Sequence, residues 1–91
     1  MARKYFRIPS PEYMAKLRPI LREKFKRLEV VPGSWSPAEG YIDRKEGVVI
    51  GYDGREFMGM EAPTIRAIER TRSGLEKDSE IKLEETTLKN G

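Results

Sequence analysis

The sequence predicts a single α+β domain in which two helices pack on one face of a mostly antiparallel sheet with a central β-hairpin. Two observations predict this class. Apolar residues recur at helical spacing in two separate segments, and short β-rich runs precede, separate and follow those segments. A chain of 91 residues has room for one hydrophobic core. We therefore expect residues 1–91 to form one domain, with 84–91 as a frayed C-terminal tail.

The N-terminal segment predicts a short strand. Residues 4–8 alternate between polar and apolar side chains and end at Pro9, which indicates extended structure. Phe6 and Ile8 share the face expected to meet the core. The opposite face carries Arg3, Tyr5 and Arg7.

A helix is predicted over residues 11–28. Ser10 offers an N-cap and Pro11 occupies the favoured first helical position. Pro19 either kinks this helix or marks its true start, because proline removes a backbone hydrogen bond and clashes with the preceding turn. The apolar spacing continues through Pro19, which favours the kink. One apolar face results, formed by Tyr13, Met14, Leu17, Ile20, Leu21, Phe25 and Leu28.

The middle of the chain contains a brief strand, a loop and a hairpin in this interpretation. Residues 29–31 are β-rich, and residues 32–40 form a turn-rich loop that carries Trp35. Trp35 either seals the core or contacts a partner, since its large ring suits both roles.

Residues 47–60 carry a hairpin signal, two β-rich runs about Asp53 and Gly54. A two-residue turn there pairs Ile50 with Phe57. The same register places three apolar residues on the other face of the hairpin, namely Val49, Met58 and Met60.

The last third predicts a second helix and a final strand. Residues 62–64 open this helix, Ile65 and Ile68 point inward, and Gly74 is its C-cap. Residues 80–84 then alternate as a strand. The resulting order of strands and helices resembles the split β–α–β arrangement of the ferredoxin-like fold.

The composition excludes several classes of chemistry. The chain has no Cys and no His, which removes disulfides, thiolate metal sites, cysteine nucleophiles and histidine-dependent catalysis. It also has no phosphate-cradling Gly pattern, no G-x-S-x-G and no S-x-x-K. We therefore expect a protein without catalytic activity, cofactor or metal.

The same composition predicts a cytoplasmic protein from a thermophile. No apolar run approaches the roughly 18 residues of a membrane span, and the N-terminus lacks the apolar stretch of a signal peptide. Charged residues make up 36% of the chain, Gln is missing and Asn occurs only at Asn90. Such depletion with abundant Glu, Lys and Arg is typical of hyperthermophile proteins.

Positive charge is concentrated in the first third of the chain. Residues 1–27 hold nine Lys or Arg against two Glu, a net charge of +7, whereas residues 28–91 hold nine against thirteen acidic residues, a net charge of −4. This asymmetry indicates an acidic partner. On the predicted first helix, one row of cations suits phosphate contacts, and it consists of Arg18, Arg22 and Lys26. A solvated helix face can have the same composition.

The first strand adds an aromatic side chain to these cations. Tyr5 between two guanidinium groups suits a stacked base with neighbouring phosphates. The sequence therefore predicts a small basic module that binds RNA or DNA, and it favours structured RNA over DNA and a role as an accessory ribonucleoprotein component. The candidate nucleic-acid contacts are Arg3, Lys4, Tyr5, Arg7, Lys16, Arg18, Arg22, Lys26, Arg27 and Trp35.

A protein-interaction adapter, which includes a homodimer, is the alternative interpretation. An apolar patch that the helices leave uncovered marks a protein contact. The candidate patch is the second hairpin face, formed by Val49, Met58 and Met60.

Overall fold

The protein is an α+β domain with a six-stranded antiparallel sheet and two helices on one face, as predicted. The computed structural model describes residues 1–28, 39–52 and 57–87. The predicted strand at 29–31, Trp35 and the hairpin turn at Asp53 and Gly54 lie outside these residues. The elements are β1 (Ala2–Arg7), α1 (Pro11–Lys24), β2 (Lys26–Leu28), β3 (Glu39–Asp43), β4 (Val48–Tyr52), β5 (Phe57–Ala62), α2 (Ile65–Ser79) and β6 (Glu84–Thr86).

The strands lie in the order β2-β3-β4-β5-β1-β6, and each described neighbouring pair is antiparallel. It follows that β1 and β2, which α1 connects, run in the same direction with three strands between them. Likewise, α2 connects β5 to β6 across β1. Both connections are split β–α–β units of the ferredoxin-like kind. This sheet has six strands because the β3–β4 hairpin is inserted between β2 and β5.

The hydrophobic core lies between the helices and one face of the sheet. Arg72 of α2 stacks over the Phe6 ring, and Arg18 of α1 lies over the Tyr52 ring, which identifies the covered face. Each fully buried large apolar side chain contributes about 1.5–3 kcal/mol relative to exposure. The buried side chains include Phe6, Met14, Leu17, Leu21, Tyr41, Val48, Ile50, Tyr52, Met58, Met60, Ile68, Leu75, Ile81 and Leu83.

The first helix runs through Pro19 and ends earlier than predicted. It begins after Ser10 with Pro11 in its first turn, but its last residue is Lys24 rather than residue 28. Phe25 has extended backbone angles, φ −123° and ψ 154°, and residues 26–28 pair with β3. Backbone hydrogen bonds to β3 thus replace the last helical turn. Apolar spacing could not predict this, because the strand partner lies distant in sequence.

The register of the β4–β5 hairpin differs from the predicted one. Ile50 pairs with Met60, and Tyr52 pairs with Met58. The prediction paired Ile50 with Phe57, which is three residues away. An odd shift moves every side chain of a strand to the other face of the sheet. Met58 and Met60 therefore join Ile50 in the core, while Phe57 lies on the opposite face.

The second helix begins at Ile65 with Thr64 as its N-cap, close to the opening predicted at residues 62–64. The Thr64 hydroxyl accepts a hydrogen bond from the Ala67 backbone N–H at 3.2 Å. Ile68 is buried as predicted. The prediction that Ile65 points inward is wrong, since its side chain is 47% exposed at the first position of α2.

The same helix continues past Gly74 and ends at Ser79. The predicted Gly74 cap is therefore wrong. Glu80 provides the left-handed residue that ends the helix, with φ 60° and ψ 28°. The Ser79 hydroxyl donates to the Leu75 carbonyl, one helical turn earlier, at 2.6 Å.

The final strand lies further along the chain than predicted. Residues 81–83 belong to none of the described strands, and Ile81 and Leu83 are buried. Residues 84–86, predicted to begin a frayed tail, instead form β6 and pair with β1. The edge of β1 thus supplies the hydrogen-bond partners that keep these residues ordered.

Candidate nucleic-acid interface

The face of the sheet opposite the helices is the candidate interface, and we call it the helix-free face because both described helices pack on the other one. Side chains alternate along each strand, so residues that flank the core positions occupy this face. The cross-strand register places the following described residues on it: Arg3, Tyr5, Arg7, Lys26, Leu28, Gly40, Ile42, Val49, Gly51, Phe57, Gly59, Glu61, Glu84 and Thr86.

Two aromatic residues lie side by side on the helix-free face. Tyr5 pairs directly with Gly59, and Phe57 is the diagonal neighbour two residues away on β5. Such diagonal Cα atoms are about 7–8 Å apart. Gly59 has no side chain to separate the two rings. Both aromatic residues are partly buried.

A row of glycines continues from Gly59 across the central strands. Gly59 pairs with Gly51, and Gly51 pairs with Gly40. All three glycines are buried in the folded chain. No side chain rises from the face along this row, so the side chains of the face lie in separate groups on either side.

Two arginines flank Tyr5 on β1. The Arg3 guanidinium pairs with Glu61, with Nη2 at 2.7 Å from Oε2, and its side chain is 45% exposed. The hydrogen bond to Glu61 raises the pKa of Arg3 above its usual value. An exposed pair of this kind contributes about 0–1 kcal/mol. Arg3 can therefore exchange Glu61 for another anion at small cost. Arg7 is exposed and pairs across the strands with Phe57.

Lys4 lies on the helix side of β1, away from these residues. Its ammonium group contacts Glu69 of α2 at 2.8 Å and Glu85 of β6 at 2.7 Å. The hydrogen bond to Glu69 raises the pKa of Lys4. These contacts connect three elements, which gives this predicted contact residue a structural role in the folded chain.

The predicted cationic row on the first helix does not form. Because α1 ends at Lys24, Lys26 belongs to β2 and points to the helix-free face. Arg18 is held by Glu39, with Nη2 at 2.9 Å and Nε at 3.2 Å from the same carboxylate oxygen. Arg22 and Lys16 remain exposed on α1.

The Glu39 carboxylate is the centre of a partly buried network. Its other oxygen accepts a hydrogen bond from the Tyr41 hydroxyl at 2.7 Å, and its side chain is 11% exposed. Burial alone raises the pKa of Glu39, but the hydrogen bonds from Tyr41 and Arg18 outweigh it, and the pKa is lowered. Burial, together with the hydrogen bond to Glu39, raises the pKa of Tyr41. Arg18 thus connects α1 to β3.

The two cations of β2 point to opposite faces of the sheet. Lys26 pairs with Ile42 on the helix-free face, and Arg27 pairs with Tyr41 on the other. Both are exposed. Lys26 and Arg3 end one transverse row of the helix-free face, four strand spacings or about 19 Å apart.

Sequence reasoning missed Phe57 and the turn cations Arg44 and Lys45. The predicted hairpin register paired Phe57 with Ile50 and so placed the two residues on the same face of the sheet, whereas they lie on opposite faces. Arg44 and Lys45 lie in the β3–β4 turn, inside the portion of the chain that is acidic overall. Their proximity to Lys26 follows from the pairing of β2 with β3, which the sequence did not indicate.

The apolar hairpin patch of the alternative interpretation does not exist. Met58 and Met60 are 0% exposed beneath the helices. Val49 pairs with Glu61 and lies on the helix-free face instead. The shifted register is the reason, since it separates Val49 from the two methionines.

Among residues 1–28, 39–52 and 57–87, no group of three or more potential ligand side chains is placed to hold a metal ion. Neither described helix combines the length and the apolar character needed to cross a membrane.

No protein-family model, no curated protein and no solved structure matches this chain.

Proposed function

We propose that this protein binds RNA through the helix-free face of its sheet, as a non-catalytic accessory component of a ribonucleoprotein. One observation carries the proposal: the diagonal Tyr5–Phe57 pair on that face, with Arg3 and Arg7 on either side of Tyr5. In this proposal unpaired bases stack on the two rings. The guanidinium groups contact the flanking phosphates.

The aromatic pair favours unpaired bases over a duplex. Every base has a π-face, and stacking on an aromatic side chain is worth about 1–3 kcal/mol per base. A paired RNA helix hides those faces and is recognised mainly by shape. The ligand proposed is therefore a loop or single-stranded segment of a structured RNA.

The surface charges of helix α1 argue against recognition of duplex DNA. A recognition helix enters the major groove with exposed polar and cationic side chains. On α1 the predicted row of three cations is reduced to two, and Arg18 is already engaged by Glu39. The exposed surface of that helix also carries Glu12 and Glu23. RNA contact through the sheet is thus the better supported mode.

Substitution of Tyr5 tests the proposal. We expect Tyr5→Ala to weaken binding of a fluorescent uridine oligonucleotide about 5- to 100-fold, as loss of about 1–3 kcal/mol of stacking requires. Tyr5→Phe keeps the ring and should bind within about twofold of the wild type, since stacking needs only the π-face. Ile65→Ala, an exposed apolar residue at the start of α2, is the matched control for surface truncation.

Two results would contradict the proposed function. One is the absence of oligonucleotide binding by the wild-type protein even at about 50 mM salt, where phosphate contacts are strongest. The other is equal binding by the wild type and Tyr5→Ala, with both proteins shown to be folded by circular dichroism.

A further inference from the structure

We propose that a cleft at one corner of the sheet binds a phosphate group. This corner cleft lies where β2 meets the β3–β4 turn and has a volume of about 440 Å³. We further propose that the phosphate is a backbone phosphodiester of the bound RNA, and this second statement rests on the proposed function. The corner cleft is lined by Lys24, Phe25, Lys26, Ile42, Asp43, Arg44 and Lys45.

The lining carries four cations and one carboxylate. Among the described residues, the exposed side chains of Lys26, Arg44 and Lys45 form no ion pair. Asp43 is the one acidic group of the lining, and its Oδ1 accepts a hydrogen bond from the Lys45 backbone N–H at 2.9 Å. Three cations that form no ion pair within the described part of the chain therefore share a concave surface with one carboxylate, and their positive charge exceeds its negative charge.

The neighbouring carboxylates are engaged elsewhere. Lys24 forms an ion pair with Asp78 of α2, and Glu46 pairs with Arg70 of the same helix. These pairs connect the corner to α2 and leave the other cations of the cleft to an external anion. Arg and Lys bind phosphate oxygens through charge-assisted hydrogen bonds, about twice as strong as neutral ones.

The turn that carries two of the cations is held by its own hydrogen bonds. The Gly47 backbone N–H donates to the Asp43 carbonyl at 2.9 Å, in addition to the contact from Lys45. Gly47 has φ +70°, a conformation that glycine adopts without strain. A turn that is already ordered loses less conformational entropy when it binds a ligand.

The corner cleft is continuous with the helix-free face. Lys26 and Ile42 line the cleft and form a directly opposed pair on that face. Arg3 ends the same transverse row on β1, about 19 Å away by strand spacing. An RNA segment that crosses the sheet from the Tyr5–Phe57 pair can therefore reach the corner with a second phosphate.

An NMR titration with inorganic phosphate tests the site without RNA. We expect saturable shifts of the backbone amide signals of Lys26, Arg44 and Lys45, with no such shifts in sodium chloride at equal ionic strength. The double variant Arg44→Glu/Lys45→Glu should lose the response. Equal shifts in chloride, or an unchanged response in the variant, would overturn the proposal.

Oligonucleotide binding tests whether the phosphate belongs to RNA. We expect Arg44→Glu/Lys45→Glu to bind a uridine oligonucleotide about tenfold more weakly, with a salt slope reduced by about 0.7 for each phosphate that the variant no longer neutralises. The control, Arg66→Glu/Lys82→Glu, changes the net charge equally at exposed positions outside the cleft. Its effect should stay below about threefold near 0.15 M salt, where the Debye length is about 8 Å.

The outcomes separate the two proposals. Equal reductions in affinity for the two double variants would overturn the RNA role of the corner cleft and leave the Tyr5 test of the proposed function standing. Saturable phosphate binding at the corner in a protein that binds no oligonucleotide would confirm the anion site and reject the proposed function.

Discussion

Arg18 shows how the fold can engage a cation that the sequence marks as a phosphate contact. Its guanidinium group meets Glu39 and lies 6.0 Å from the centre of the Tyr52 ring. Arg72 is engaged in a similar way: it contacts Glu69 at 3.1 Å, donates to the Leu83 carbonyl at 3.2 Å and stacks over Phe6. At the scale of single residues, a count of charges therefore overstates the cations available to a ligand.

The lowered pKa of Glu39 predicts a loss of stability in acid. A carboxyl group whose pKa is lower in the folded state contributes stability above its unfolded value, here 4.5, and this contribution is lost as the pH falls through the folded value. We expect Glu39→Gln to cost about 1.5–3 kcal/mol at pH 7, because the charged acceptor of Arg18 and Tyr41 is removed. The measurement is the free energy of unfolding in urea at pH 7 and at pH 3.

The decisive quantity is the change in the free energy of unfolding between pH 7 and pH 3. The wild type should lose more stability on acidification than Glu39→Gln does, and Glu12→Gln at an exposed position of α1 serves as the control. If Glu39→Gln loses as much stability in acid as the wild type does, the lowered pKa of Glu39 is not a source of the acid sensitivity.

At the scale of elements, the sequence predicted where the two helices begin better than where they end. The alternation around Phe6 and the start signals at Ser10 and at residues 62–64 are local, and β1 and both helices lie close to the predicted positions, although the Ser10 side chain makes no capping hydrogen bond. The end of α1 depends on the pairing of β2 with β3, which joins residues distant in sequence. The hairpin register likewise depends on which face of each strand is covered by the helices. The predicted register therefore placed Phe57 on the wrong face of the sheet.

Gly74 provides a test at this scale. It lies inside α2, and a Cβ built there has no neighbouring atom within 4 Å. We expect Gly74→Ala to stabilise the protein by about 0.5–1 kcal/mol, because alanine loses less backbone entropy in a helix. Thermal and urea unfolding measure the change.

The matched control is the same substitution at a strained position. Gly47→Ala should destabilise the protein, since residue 47 has φ +70°. If Gly74→Ala were destabilising as well, α2 would have to end at Gly74, as the sequence first indicated.

At the scale of the whole molecule, the charge asymmetry of the sequence has an intramolecular explanation. Four cations in the first third of the chain form ion pairs with carboxylates in the remainder of the chain. These ion pairs connect β1 and α1 to β3, β5, β6 and α2. These cations are Arg3, Lys4, Arg18 and Lys24, and their partners are Glu61, Glu69, Glu85, Glu39 and Asp78. The asymmetry by itself is thus weak support for an acidic partner. The RNA partner proposed above therefore rests on the helix-free face and not on this asymmetry.

The fold class was predictable from the sequence because hydrophobic periodicity and turn residues are local properties. The outward placement of Arg3, Tyr5 and Arg7 was predictable for the same reason, since alternation on one strand determines it. The sequence did not predict that Phe57 lies beside Tyr5 or that Lys26 lies near Arg44. Both arrangements depend on strand order and register, which join residues distant in sequence.

The most direct test of the account is NMR mapping of the wild-type protein with a short single-stranded uridine oligonucleotide. The account predicts that the largest shifts occur on the helix-free face, at Tyr5, Arg7 and Phe57, and that they weaken as salt is added. Shifts confined to the exposed surfaces of α1 and α2, with Tyr5 and Phe57 unaffected, would contradict it.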